Sequence, residues 1–537
     1  MSDVAAETGP AFDVKDSEAI LKVVNPFSES VQPYAFYALA VLTATNFLNY
    51  VDRQIISIVA EAVKADLDLT DAQLGFLFGT AFAVLYGVVG IAVGRISDAM
   101  SRRRLMATGL VLWSGMTAAS AGAANFGQLA AARIGVGLGE ATCNPCSHSL
   151  MADYFPARHR AAAMGTLLIG TFLGMGCSLL LGGVVLQHWT SVCQAFPFGG
   201  ACGIASWKAA FLVVGTPGLL VAVLVATLKE PPRALKTPRT SFGTLFATEL
   251  SAAVPPFTVL NIARAGGPRA LAKNLALMAV LAGAVYGLGS LTHDWAQWIA
   301  VSIGVYSVSS WAHSISLRDK PLFKLTYGCP TFALTLAGMA LIGCINGTVQ
   351  IWAAPYAIRE LGVSPSQAGI HLGLAFALSA CIGVTAGGWI TDHWKRHDRR
   401  APIWVGVIGL LGPILPLIVM MNAPSLLVFA LAFFVFGTLC QSWAGGAAAL
   451  VQDLALPRMR GTAAASFSLV IILTTSSLGP YTAGKISTLT GSLTTGLLSL
   501  LALAPISLLL LLMAARRLRH ETEQTRLERA RRFGEAA

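Results

Sequence analysis

Long apolar runs alternate with short polar breaks along most of the chain. A helix needs about 20 apolar residues to cross a bilayer. Runs of that order lie at 33–60, 71–95, 105–124, 127–152, 160–187 and 207–228, and again at 328–357, 366–391, 402–420, 424–451, 461–484 and 493–515. Between the two groups are two further uncharged runs, 274–291 and 296–317, joined by Thr292-His293-Asp294-Trp295. The pattern predicts an all-α integral membrane protein: two six-helix halves and a transmembrane hairpin inserted in the central linker, 14 spans in all. Residues 1–32, with Pro10, Asp13, Lys15 and Asp16, lack the apolar core and cleavage site of a signal peptide, so the first run is read as a retained span.

The basic residues test this list, because cytoplasmic loops collect Lys and Arg. With the N-terminus inside, only Lys64, Lys208, Arg359 and Lys485 fall outside and Arg53 and Arg133 fall within the membrane, which leaves 31 of the 37 Lys and Arg inside. One missed span would invert every later loop. The expected plan is a cytoplasmic tail 1–32, a half at 33–228, a cytoplasmic linker 229–323 holding the hairpin (about 274–317), a half at 324–516 and a basic cytoplasmic tail 517–537. The expected location is the cell (inner) membrane. In the linker, residues 246–262 form an apolar stretch suited to the membrane surface, and residues 516–533 read as a mixed-charge helix.

Composition agrees. The chain is 55% hydrophobic and 12% charged, with a mean hydropathy of +0.67, against about 25% charged in soluble domains. The net charge of +11 follows the membrane topology rather than a nucleic-acid partner. Most of the nine cysteines lie in apolar runs; Cys193 and Cys202 share one outer polar loop, where a disulfide is possible. Cys143 and Cys146 have C-x-x-C spacing but no second pair, so no metal site is assigned.

The halves repeat. Gly94-x-x-x-Asp98-x-x-x-Arg102 returns as Gly388-x-x-x-Asp392-x-x-x-Arg396, at an offset of 294, and Asp153 with Arg158 and Arg160 returns as Asp453 with Arg458 and Arg460, at an offset of 300. Parallel halves put a transporter's substrate site at mid-membrane between them. The stretch Gly94-x-x-x-Asp98-x-x-x-Arg102-Arg103-Arg104 resembles the loop motif of the major facilitator superfamily, departing from it at Ala99 and Ser101, where Arg and Gly are usual. Arg133-x-x-x-Gly137-x-Gly139 resembles its fourth-helix motif. "NYVDRQ" (49–54), "GVGLGEATCNP" (135–145), "EPPR" (230–233) and "WAAPYAIRELGVSPSQAG" (352–369) resemble the Spinster branch. The resemblance covers about 33–233 and 324–516, not 235–320.

Asp52 and Arg53 sit inside the first span, where a charge costs roughly 2.5–3.5 kcal/mol. Helix neighbours point about 100° apart, so each needs a partner on another helix. Arg133 and Glu140 share a face of the fourth span, at a depth that brackets Arg53. One cluster of Asp52, Arg53, Arg133 and Glu140 is expected, with zero net charge. It serves either as a fixed network or as a proton switch, since a carboxylate in apolar surroundings can take up a proton while Arg stays charged. The Spinster resemblance implies proton coupling and binding of an anionic headgroup at Asp52, Arg53 and Glu140.

Gating is assigned to Gly94, Asp98, Arg102 and Arg103, with Asp98 capping a helix of the other half and the arginines pairing across the cytoplasmic gap. The second-half counterparts are Gly388, Asp392 and Arg396. Candidate cavity residues are Asn46, Asn49, Asn346, Gln350, Trp352, Tyr356, Gln441 and Trp443; His148 is a proton relay or a packing residue. No catalytic motif, cofactor site or nucleotide-binding segment is found. The expected function is a secondary transporter, proton-coupled, for an amphipathic anion such as a lysophospholipid. Its partners would be the substrate, protons and membrane lipids, and a monomer is expected. The rivals are a transporter of a small organic acid or drug, and a non-transporting receptor or scaffold.

Overall fold

The computed structural model describes residues 31–195, 203–231, 257–456 and 459–533, and contains helices and no strands among them. The first group is α1 (Pro33–Leu67), α2 (Asp71–Gly75), α3 (Ala81–Ala99), α4 (Arg102–Ala119), α5 (Phe126–Glu140), α6 (Cys143–Tyr154), α7 (Ala157–Ala195) and α8 (Ser206–Thr227). Then come α9 (Phe257–Thr292), α10 (Trp295–Arg318) and α11 (Lys320–Leu325). The second group is α12 (Pro330–Glu360), α13 (Pro365–Lys395), α14 (Ala401–Leu411), α15 (Ile414–Met421), α16 (Leu426–Gln441), α17 (Trp443–Leu454), α18 (Arg460–Ile472), α19 (Gly479–Thr490), α20 (Leu493–Ser499) and α21 (Ala504–Leu518), and α22 (Glu523–Arg532) follows. A π turn at Phe76–Thr80 joins α2 to α3, and another at Leu473–Leu478 joins α18 to α19. The end of the bundle that carries Pro33 and Leu518 is termed the terminal face, and the opposite end the distal face.

Ten helical stretches are long and apolar enough to cross a membrane. Four of the fourteen expected runs are helical but fall short of that standard: α1, α4, α5–α6 and α10. The reason is visible in their residues. Asn46, Asn49, Asp52 and Arg53 interrupt α1, three arginines open the short α4, Arg133 and Glu140 punctuate α5, and α10 is rich in Ser. Boundaries also move: α1 runs on to Leu67 and α7 to Ala195. The apolar pair expected from 274 begins at Phe257, with a break at Gly267. Of the 246–262 stretch, residues 246–256 lie outside the described residues.

The internal repeat extends to the helix ends. Thr70 and Ser364, 294 apart, each close a capping box with the Gln three residues on, satisfying backbone N–H groups at the helix start. Asn125 and Ser425, 300 apart, cap α5 and α16. The fourth run of each group breaks at the same place, before Cys143 and before Trp443.

Small residues let the helices meet backbone to backbone, as membrane bundles require. A Cβ at Gly139 would stand 2.7 Å from the Gly109 carbonyl oxygen and from the Trp113 nitrogen. Between the two groups, a Cβ at Gly79 would collide with the Ser476 carbonyl and one at Gly183 with that of Pro365. Thr80 donates to the Ser477 carbonyl at 3.0 Å. Helix α10 stands against this seam: Ala300 packs on Val84, Val88 and Leu473. Its first turn is bonded to the second group, with Gln297 donating to the Ser477 carbonyl at 3.2 Å and Lys485 lying 2.7 Å from Asp294.

Seven cysteines are free, Cys193 is disulfide-bonded, and Cys202 lies outside the described residues.

Gly139→Val should therefore lower stability by about 1–3 kcal/mol through overpacking. Gly115→Ala, in α4 with nothing within 4 Å of its added methyl, should be neutral or stabilising. Thermal unfolding of the purified variants in detergent measures both.

Candidate functional site

Helix α1 places Asn46, Asn49, Asp52 and Arg53 in the middle of the bundle, the first three almost fully buried. Arg53 reaches Glu140, the last residue of α5. Its Nη2 lies 2.9 Å and its Nε 3.3 Å from Glu140 Oε2. The guanidinium also sits over three rings, 4.5 Å from the centre of Phe82, 4.8 Å from Tyr50 and 5.0 Å from Tyr86. Such stacking favours a cation at an apolar site. Glu140 is wholly buried, whereas the Arg53 side chain keeps 21% of its surface exposed.

Arg133 lies on the same face of α5, seven residues earlier, and is also wholly buried. It binds backbone rather than a carboxylate: Nη1 donates to the Asp52 carbonyl at 3.1 Å and Nη2 to the Arg53 carbonyl at 3.3 Å. The four expected residues are thus together, but they form one ion pair, not two. Asn49 is the polar side chain beside Glu140, and Thr117 the one beside the Asp52 carboxylate.

The cavity candidates divide. Gln350 and Gln441, both half-buried, face each other with Gln441 Nε2 3.5 Å from Gln350 Oε1, and Gln350 also donates to Cys440 Sγ at 2.8 Å. The other members serve packing here. Asn46 donates to the Leu42 carbonyl and Asn346 to that of Gly409. Trp352, expected on the cavity, is fully buried edge-on to Phe78 and donates to the Pro480 carbonyl at 3.2 Å. Tyr356 stacks on Phe429 and donates to the Met421 carbonyl. Met421 ends α15, where carbonyls lack a helical partner, and the Tyr356 hydroxyl satisfies one of them. Trp443 is buried against Gly409. His148 is exposed on α6.

The expected pairing of Arg102 and Arg103 across to the other half is not what this conformation holds. Arg102 lies 2.6 Å from Asp153 in its own half and 2.9 Å from Glu230, just past the end of α8. Arg103 donates its backbone N–H to Glu230 and its side chain to the carbonyls of Ala226 and Leu228. The tight turn after α3 aims both arginines back at the ends of α6 and α8. In the second half Lys395 pairs with Asp453, the counterpart of Asp153, while Asp392 and Arg396 are exposed and Gly388 has open space beside it. Gly94 and Asp98 fall within α3, and the Asp98 side chain lies outside the described residues.

Sequence reasoning missed a knot on the distal face. Arg359 at the end of α12 lies 2.7 Å from Glu61 and 2.7 Å from Asp71, and Lys64 lies 2.6 Å from the same Asp71. Ser487 of α19 donates to Asp71 as well. The signal was present: of the four basic residues expected on the outer side, Lys64 and Arg359 meet here, Lys485 meets Asp294, and Lys208 lies over the Trp207 ring.

A family model, the Major Facilitator Superfamily, matches residues 42–358 and 336–536. The chain belongs to that superfamily. It is similar to an MFS-type efflux pump of Mycolicibacterium smegmatis, with 26% identity over 84% of each chain. Protein spinster homolog 1 of Bos taurus is 25% identical over 88% of this chain and 76% of that one. In fold the chain resembles a crystal structure of a bacterial homologue of the human lysosomal transporter Spinster, with TM-score 0.68 and 23% identity over 91% of this chain and 98% of that one. A multi-pass membrane transporter, not an enzyme, is the class these findings support.

Burial raises the Glu230 carboxyl, but bonds from Arg102, the Arg103 N–H and Ser101 outweigh it and hold the group below its ordinary value. Its contribution is therefore present above about pH 4.3, the unfolded value, and is lost as pH falls through the lower folded value. Glu230→Gln should cost about 1.5–3 kcal/mol at pH 7 and remove that acid-sensitive component, read from melting temperatures between pH 7 and pH 3.

Proposed function

We propose that this superfamily member is a secondary transporter working by alternating access, coupled to protons, with an amphipathic anion such as a lysophospholipid as cargo. The observation that carries this is Arg53, a cation partly open on an aromatic wall and held by a single carboxylate. An anionic head would replace Glu140 as the partner of the guanidinium. Arg53 keeps its charge throughout, and the released Glu140, or Asp52 beside it, would take up a proton and stay neutral in the bundle. The rings of Tyr50, Phe82 and Tyr86 suit the apolar part of such a cargo.

The two halves, 33–228 and 324–516, would rock about this site. On the distal face Arg359 ties them together; on the terminal face, among the described residues, Arg102 pairs with Asp153 and Glu230 and Lys395 with Asp453, none of them across the halves. That asymmetry supports a state closed at the distal face. With both termini cytoplasmic in the cell membrane, it faces inward. The same reading takes all 14 runs as spans, with α9 and α10 as the inserted hairpin, and the protein as a monomer. A second reading, export of a drug or small organic acid, is favoured by the likeness to an efflux pump.

The test is flux of a labelled lysophospholipid into liposomes holding the purified protein, with and without a pH gradient. Gradient-dependent flux is expected, with Asp52→Asn and Glu140→Gln folded but altered in pH dependence. Absence of flux with well-folded protein sinks the lipid cargo, and unfolding of both variants favours a fixed structural network.

A further inference from the structure

Helix α9 is interrupted at Gly267, which takes φ +66° and ψ −165°, a conformation open to glycine and strained for other residues. Pro268 follows and starts the helix again, fitting the fixed φ of proline. This break opens a cavity of about 650 Å³ between α9 and the last turns of α10. Arg269 and Lys273 line one wall, His313 with Ser309 and Ser316 the other, and Phe323 borders it. Buried Asn274, bonded to Ser310 at 2.9 Å and to Tyr306 at 2.7 Å, fixes the two helices just beside it.

The cations here differ from the ion-paired cations of the bundle. Arg102, Arg359, Lys395 and Lys485 are each matched to a carboxylate. Arg269 and Lys273 are exposed and, among the described residues, have no hydrogen-bond or ion-pair partner. Two cations without a described partner, an imidazole and the Ser309 hydroxyl converge on one cavity.

Its depth is informative. From Pro268 to Thr292 the helix rises about 37 Å, somewhat more than the roughly 30 Å of hydrocarbon in a bilayer. With the Thr292 turn seated at the distal face, the cavity stands at the headgroup level of the terminal face. Towards the distal face, α9 presents exposed apolar side chains, Leu275 at 47% and Val280 at 68% exposure, a surface suited to acyl chains.

We propose that this cavity binds the phosphate headgroup of an anionic membrane phospholipid, with Arg269, Lys273 and His313 on the phosphate, Ser309 on one of its oxygens and the acyl chains along α9. Basic pockets between membrane helices on the cytoplasmic side have this use. The site is separate from Arg53 and does not depend on which cargo the transporter carries.

Binding of phosphatidylglycerol and phosphatidylcholine to the full chain in detergent, followed by native mass spectrometry, tests it. Phosphatidylglycerol should bind about tenfold or more tightly than phosphatidylcholine, and Arg269→Ala with Lys273→Ala should remove that preference. The swap Arg269→Lys with Lys273→Arg should retain it. So should the charge-matched tail variant Arg531→Ala with Arg532→Ala. Equal loss in the tail variant, or undiminished binding in the double alanine variant, overturns the site. Displacement of the lipid by millimolar inorganic phosphate overturns the lipid assignment in favour of a soluble anion. Both residues are exposed, so the variants should fold, which gel filtration checks.

Discussion

A charged side chain inside a bilayer has no water to turn to, and the arrangement of this protein follows from that constraint. Each charge drawn into the bundle must find an opposite charge, a carbonyl or an aromatic face. Arg53 finds Glu140 and three rings, Arg133 finds two carbonyls of α1, and Arg359 finds two carboxylates. These demands fix which helices must touch and at what height. They also explain why α1 and α5 fall short of the apolarity of their neighbours.

The charge sets stand at three levels and differ in what they join. Among the described residues, those at the terminal face tie neighbouring elements of one half to each other. At mid-depth the Arg53–Glu140 pair joins two helices of one half. At the distal face the Arg359 knot joins the halves. A machine that opens alternately needs contacts of the last kind that can be broken, and an intermediate site whose bonding a ligand or a proton completes. Breaking the distal knot would strand Arg359 unless Glu61 and Asp71 stay close or water enters, so on the proposed alternating-access reading the knot sets a cost on opening that binding at Arg53 would offset.

Much of this was legible in the chain. Apolar runs and the Lys and Arg count gave the helices and their alternation, because lipid imposes both. The repeat was readable from Asp98 and Asp392, Asp153 and Asp453, since the same turns recur at offsets of 294 and 300; the caps at Thr70 and Ser364 follow the same arithmetic. Heptad spacing placed Arg133 and Glu140 on one face. The identity of partners was not legible. Arg102 turning to Glu230 and Arg359 to Asp71 depend on how helices far apart in sequence meet, and so does the bond of Trp352 to the Pro480 carbonyl. The break at Gly267 could have been suspected from Gly-Gly-Pro, but the cavity it opens needs α10 in place.

The central claim is that the Arg359 knot holds the distal face shut in an equilibrium between two states. Spin labels at Ala124→Cys and Pro424→Cys, at the distal entries to α5 and α16, report the width of that face directly. The account predicts one short distance in the parent protein and an added, longer population in Arg359→Gln. An unchanged single distance in that variant would contradict it.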